Sequence, residues 1–402
     1  MARNVLRRPS RIVAGLVEED RPMRRAPLGL LGMLALVASV EGFVASRADR
    51  LIGFETWAWE HASRAAVAEA ASCEILLFGD SQIMMGVVPR VLASEAGPRR
   101  PRPAYNLAVP GGQAASSYFL FRKALAAGAK PSIVVVDFMP TLLDCDLSRN
   151  AARWPEILGP LDAADLAWSS GDPGLFGSIV SARFVPSLRA RPVIREAIGS
   201  RLRGESALSR QPNRRRVREE AKRRNIEVNR GALVAAESDR SAIPDDPEEW
   251  YANSYPRPWA CRPLQESYAR RFLDLAESRG IRVCWLVAPM HPEVLALEKC
   301  RGDQDRYDRF ISAMTNEHPG LVVLDARGAG FESEAFLDLV HLGGSGAVAF
   351  TAEVGSILRK QGELPPRIDL GRRRGWDGGP VEDTEGSRAV VRARIGREAP
   401  RR

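Results

Sequence analysis

Glu74-Ile75-Leu76-Leu77-Phe78-Gly79-Asp80-Ser81-Gln82 is the stretch whose reading decides the fold. Its first half is an apolar run of strand length, and its second half carries turn residues. A run with no polar alternation predicts a strand buried on both faces, which is the habit of a parallel sheet. Gly79 and Asp80 then predict a tight turn, with Ser81 opening a helix.

Working outward, four further runs read as strands: a weaker one at Ala104–Ala108, then Ser132–Asp137, Ile281–Ala288 and Leu321–Asp325. Helical patterns precede the last three, at Ser116–Ala127, Leu264–Arg279 and Asp305–Glu317, and a final helix is expected from Ser345 to about Arg359. Strands alternating with helices predict an α/β fold with a doubly wound parallel sheet, over residues 70–143 and 263–362. The intervening 144–262 breaks the rhythm with tryptophans, prolines and charge, and is expected to be a mostly helical insertion covering an edge or the mouth of the sheet. Within it, the arginine-rich run Arg214–Arg224 reads as a solvated helix face sooner than as an anion-binding one. Residues 363–402 lose all periodicity and are expected to be a disordered basic tail.

Charge removes one class of function. Of the 402 residues, 58 are basic and 50 acidic, but residues 1–25 hold 7 arginines against 3 acids and residues 366–402 hold 10 against 6. The remaining body is neutral, so nucleic acid is not an expected partner. The five cysteines are widely spaced, with no Cys-x-x-Cys and no Cys/His cluster. No metal and no cofactor is therefore expected. A Cys261–Cys300 disulfide is open to the chain outside the cytoplasm.

Near the start, Arg21, Arg24 and Arg25 precede Pro27–Ser46, a 20-residue run whose only charge is Glu41. At ~1.5 Å per residue such a helix reaches about 30 Å, the thickness of a bilayer core. The expectation is a transmembrane helix or signal anchor at 27–46, a basic cytoplasmic N-terminus at 1–26, and a body outside the cytoplasm. A cleaved signal peptide is the second reading and a soluble helix the third. Met23 before Arg24-Arg25 is an alternative start of translation.

Three blocks carry chemistry. A serine at a strand's carboxyl end, opening a helix, has an exposed hydroxyl and a backbone N–H free for a developing oxyanion. In Phe336-Leu-Asp338-Leu-Val-His341-Leu, an aspartate three positions before a histidine can set the ring's tautomer, while the ring takes the serine's proton. After the second strand, Tyr105-Asn106-Leu-Ala-Val-Pro110-Gly111-Gly112-Gln113 lets backbone approach the serine and offer a second N–H. Alone, each has an ordinary reading: a turn, a helix-terminus pair or half a metal site, and a Pro-Gly turn.

Together these blocks resemble the SGNH (GDSL-like) hydrolase superfamily. Gly79-Asp80-Ser81 is similar to its nucleophile block, Asn106 with Gly111 to its glycine block, and Asp338-Leu-Val-His341-Leu to its final block. The resemblance implies a five-stranded flavodoxin-like sheet and a Ser81–His341–Asp338 triad. It assigns oxyanion or substrate binding to Asn106, Gly111, Gly112 and Gln113. It implies ester hydrolysis, or acyl transfer in membrane-bound branches that modify cell-surface glycans. Two departures stand out. Gln82 replaces a leucine, and the third strand exits into Val136-Asp137-Phe138 where the superfamily has an oxyanion asparagine. Gln113, Asn150 and Asn253 are the candidates to replace it. The expected partners are a small-molecule or polysaccharide ester and, through the N-terminal helix, a membrane. The alternative is a catalytically weak scaffold of the same type that binds a glycan or an envelope partner.

Overall fold

The computed structural model describes residues 28–47, 52–97, 99–202, 211–241, 246–360, 364–371, 376 and 378–398. Six parallel strands form one sheet: β1 (Ile75–Phe78), β2 (Ala104–Asn106), β3 (Ile133–Val136), β4 (Arg282–Val287), β5 (Val322–Asp325) and β6 (Arg367–Asp369). Their order is β2-β1-β3-β4-β5-β6. The chain steps from β1 outward to β2, then crosses back over β1 to β3, so strand order reverses beside β1. Ligands collect at such reversals in open parallel sheets.

Successive strand residues face opposite layers, and here both layers are apolar. Leu76, Phe78, Val134, Val136 and Trp285 pack with Trp59, Phe119, Phe121 and Phe272 on one face. Ile75, Leu77, Val135, Cys284 and Leu286 pack with Val91, Phe350 and Val354 on the other. This two-sided burial is why the strands read as unbroken apolar runs. Each large apolar side chain so buried contributes about 1.5–3 kcal/mol. The aromatic centre is tight: Phe121 and Phe272 have ring centroids 4.9 Å apart, with Phe78 edge-on to both.

The sheet has six strands where five were expected. The sixth, Arg367–Asp369, pairs with β5 in the register Val323↔Arg367 to Asp325↔Asp369. Arg367 reaches back to Asp325 and Asp308. A three-residue edge strand with a charge at each end needs no apolar pattern, so periodicity does not reveal it. The expectation of a disordered tail also fails at Thr384–Glu398, a 15-residue helix. The approach to it is pinned to Gln211–Val228, where Arg224 forks onto Glu382 at 2.9 and 3.1 Å. Asn225 and Asn229 donate to the Glu382 carbonyl at 2.9 and 2.8 Å.

Between β3 and β4 the chain is largely helical, including Pro160–Ser170, Pro173–Phe184, Pro186–Leu202, Gln211–Val228 and Pro247–Ser254. The aromatics Tyr251, Tyr255 and Trp259 are buried, not displayed. Tyr251 donates to Asp303 at 2.9 Å and Trp259 to the Pro140 carbonyl at 2.7 Å, so they pack the insertion onto the sheet. All five cysteines are free, and Cys261 is not joined to Cys300.

The expected span at 27–46 appears as an 18-residue helix, Leu28–Ala45. At ~1.5 Å per residue it reaches about 27 Å, short of a ~30 Å bilayer core. Among the described residues no helix is long and apolar enough to cross a membrane. Its one charge, Glu41, accepts from the Ser187 N–H at 2.9 Å and from the Ser187 hydroxyl at 2.5 Å. The expected basic N-terminus at 1–26 and the alternative start at Met23 lie outside the described residues.

Candidate active site

Ser81 is the first residue of the helix Ser81–Gly86, directly after β1. Asp80 caps that helix by accepting from the Gln82 N–H at 2.8 Å. The histidine arrives from the far end of the chain. Phe336 and Leu342 form an antiparallel bridge, and the Leu337 N–H donates to the His341 carbonyl at 2.8 Å, closing a tight loop. Asp338 Oδ1 accepts the N–H groups of Val340 and His341, each at 2.9 Å, so the carboxylate is fixed by the loop that presents the ring.

Ser81 and His341 meet: Oγ lies 2.8 Å from Nε2. On the other side of the ring, Nδ1 lies 2.8 Å from Asp338 Oδ2 and 3.0 Å from Oδ1. Burial pushes the Asp338 carboxyl up, but the His341 ring and the two backbone N–H groups outweigh it and hold the group below its ordinary value. An ionised Asp338 keeps a proton on Nδ1 and leaves Nε2 free to accept one from Ser81.

Gln82 braces this junction. Its amide donates to the Val340 carbonyl at 3.2 Å and to Met290 Sδ at 3.0 Å, tying the serine's helix to the histidine's loop. The leucine of the superfamily pattern has no group able to make these bonds. His291 sits behind the same loop, 1% exposed, with its ring against Phe336 and its own N–H donating to the Leu339 carbonyl at 3.4 Å. It supports the loop and does not line the site.

The four expected oxyanion or substrate residues separate into two kinds. Gly111, at φ +65°, lines the same cleft as Ser81. The N–H groups of Ser81 and Gly111 have no hydrogen-bond partner among the described residues, so both remain available to an oxyanion. Asn106, Gly112 and Gln113 are spent on structure, which corrects their assignment. Asn106 donates to the carbonyls of Ile83 and Val87 at 2.9 and 3.0 Å and accepts from the Ala108 N–H at 3.0 Å. The Gly112 N–H donates to the Val109 carbonyl at 2.9 Å, and a methyl group there would come within 2.3 Å of the Gly79 oxygen. Gln113 is buried and donates to the carbonyls of Cys145 and Asp146 at 3.3 and 3.1 Å.

The replacements foreseen for the missing asparagine do not supply a donor either. Asn150 gives its amide to the Gly111 carbonyl at 2.9 Å and to Gln113 at 3.1 Å, steadying the glycine loop. Asn253 is an exposed residue of Pro247–Ser254. Asp137 lies under the turn, where its Cβ would be 3.3 Å from a side chain at Gly79. It is 4% exposed and its Oδ2 has no partner among the described residues. Burial, with Asp80 nearby, holds its carboxyl well above the ordinary aspartate value. Burial also pushes Asp80 up to about 6, against the Gln82 N–H and the His341 ring. The charge on Asp80 disfavours ionisation of Asp137 beside it.

The triad opens into a cleft of about 610 Å³. Met84, Met85, Leu233 and Leu337 give it apolar wall, and Leu233 is held there by its N–H bond to the Met84 carbonyl at 2.9 Å. Cations from the insertion, Arg149, Arg153, Arg218 and Lys222, line it as well. Sequence reading missed these; the run Arg214–Arg224 was expected to face solvent, yet its helix presents Arg218 and Lys222 to the cleft. Only the helix's rotation decides this, and spacing alone does not supply it.

Among the described residues one group could hold a metal, Asp274, Glu277 and His318. These lie where the chain enters β4 and β5, at the rim opposite Ser81, and His318 Nδ1 is already 3.2 Å from Glu277 Oε2. Comparison with models of known families and with curated proteins returns no match for this chain.

Proposed function

We propose that this chain is a serine esterase or O-acyltransferase of the SGNH type, acting on an ester outside the cytoplasm. The observation that carries the reading is the pair of short contacts on one imidazole: Ser81 Oγ at 2.8 Å from Nε2, and Asp338 Oδ2 at 2.8 Å from Nδ1. In this mechanism Ser81 Oγ attacks the ester carbonyl carbon as His341 Nε2 takes the hydroxyl proton. The oxyanion faces the N–H groups of Ser81 and Gly111. His341 then passes its proton to the leaving oxygen, and the C–O bond to the leaving group breaks, leaving an acyl group on Ser81. Water or an acceptor hydroxyl, deprotonated by His341, removes it.

The second reading, a weakly catalytic scaffold that binds a glycan or an envelope partner, is favoured by one feature. The residue after β3 is a buried Asp137 that does not line the cleft. One lost oxyanion donor costs about 10²–10³ in rate. Hydrolysis of 4-nitrophenyl acetate by the full-length protein separates the two. Ser81-dependent release is expected to fall at least about a thousandfold in Ser81→Ala; equal rates in the two proteins would reject the enzyme.

The same reading holds the protein to a membrane surface through Leu28–Ala45. Support comes from the exposed apolar side chains of that helix, among them Leu30, Leu34, Leu36 and Phe43. Exposed Trp168, Phe184 and Leu202 lie on the helices packed in series beside it. Complete release from membranes by alkaline carbonate would refute the anchoring.

A further inference from the structure

We infer that the cleft takes an ester-bearing chain with repeated negative charge, a carboxylate-rich glycan, held by Arg149, Arg218 and Lys222. The inference rests on the esterase reading of Ser81 and adds the chemical class of its substrate.

The cleft's charges do not balance internally. Its three acids are each engaged. Glu55 is bonded to Arg153, Asp239 to Arg388, and Asp338 to the His341 ring. Arg149, Arg218 and Lys222 line the same cleft and make no ion pair with a carboxylate among the described residues. Arg149 reaches only Cys145 Sγ, at 3.5 Å. Lys222 is half-buried, with its ammonium 5.0 Å from the centre of the Phe54 ring. Burial and the neighbouring Arg218 disfavour its charged form and outweigh the pull of Asp239, Glu219 and Glu55, none of which it pairs with directly. Like charges one turn apart on a helix repel. Arg149 and Arg218 are exposed, so the burial penalty falls on Lys222 alone, and a bound anion relieves it together with the repulsion.

The positive track extends beyond the serine. A second cleft of about 650 Å³ shares Arg218, Asp239 and Ser241 with the first and adds Arg214 and Arg392. Neither of these two arginines pairs with a carboxylate among the described residues. A single small anion would not need such a track; a chain with charge at each repeat would follow it. Nucleic acid shares the charge but offers Ser81 no carboxylic ester, so an acidic glycan is the better fit.

The test is binding to full-length Ser81→Ala protein, which removes turnover from the readout. Oligogalacturonate, a neutral dextran oligomer of equal length and oligo-dT serve as probes at low salt. Oligogalacturonate is expected to bind about tenfold or more tightly than dextran, and to weaken as salt rises. Adding Arg218→Gln and Lys222→Gln together should cost at least about tenfold, whereas Arg279→Gln, exposed near the opposite rim, should change nothing. Equal binding of dextran, an unchanged affinity in the double variant, or tighter binding of oligo-dT would each overturn the assignment. Because binding is read without catalysis, absence of Ser81-dependent ester turnover would sink the enzyme reading while leaving this result intact.

Discussion

Replacing Asp338 by asparagine removes one charge and almost no volume, and the site says which way the amide must turn. Oδ1 of Asp338 accepts two backbone N–H groups, from Val340 and His341, at 2.9 Å each. In Asp338→Asn the carbonyl oxygen keeps that position, since an NH₂ there would face two donors. The amide nitrogen then takes the place of Oδ2, 2.8 Å from His341 Nδ1. An NH₂ can only donate, and the carbonyl oxygen 3.0 Å from Nδ1 is already shared by two backbone N–H groups, so the nearer amide nitrogen turns Nδ1 into an acceptor and the ring proton moves to Nε2. Nε2 now offers a proton to Ser81 Oγ across the same 2.8 Å and can no longer accept one. Wrong-tautomer variants of such triads lose about 10⁴ in kcat, or roughly 5 kcal/mol of transition-state stabilisation. Both backbone bonds survive, so the cost in folding stability should stay near 1 kcal/mol. The assay is 4-nitrophenol release from 4-nitrophenyl acetate, alongside the urea midpoint of each protein. A folded Asp338→Asn enzyme within tenfold of the wild-type rate would refute the tautomer reasoning.

Other outcomes follow from the same geometry. Asp80 is raised from 3.8 to about 6 and Asp137 well above its ordinary value, so the native state binds more protons than the unfolded chain in this range. Stability should therefore fall as pH rises through 4 to 6 and beyond, and Asp137→Asn should recover stability at pH 8 but little at pH 4, read from urea midpoints at both. Gly112→Ala, whose methyl would meet the Gly79 oxygen at 2.3 Å, should lose about 3 kcal/mol or more. Gly111→Ala, with no atom nearer than 3.8 Å, should lose only the left-handed backbone penalty of about 1–2 kcal/mol; thermal melts of the pair check the contrast. Asn225→Ala strands the Val234 N–H that it now bonds at 2.7 Å, while the Glu382 carbonyl keeps its bond from Asn229 at 2.8 Å, and should cost about 1–3 kcal/mol by urea unfolding.

What could be read in advance was whatever a short stretch encodes by itself. Ile75–Phe78, Ile133–Val136 and Arg282–Val287 are strands because each fills two apolar layers, and that demand is written in consecutive residues. Ser81, Asp338 and His341 were legible because few residue types suit such chemistry, Ser81 follows a strand end, and Asp338 and His341 stand three positions apart in one loop. Residues whose role depends on distant partners were not legible. Asn106 and Gln113 are types that bind oxyanions, but carbonyls 19 and 33 residues away claim their amides. The tail carries no periodicity because its order comes from Glu382 meeting Arg224 and Asn225, more than 150 positions upstream. What Gln82 gains over a leucine is visible only once the Val340 carbonyl stands at its amide.

Mass spectrometry of the full-length protein after reaction with an alkyl fluorophosphonate asks directly whether Ser81 is a nucleophile. The triad predicts one adduct, on the peptide that contains Ser81, absent in Ser81→Ala and formed at least about a hundredfold more slowly in His341→Ala. A wild-type protein that stays unlabelled, or an adduct that persists in Ser81→Ala, would contradict it.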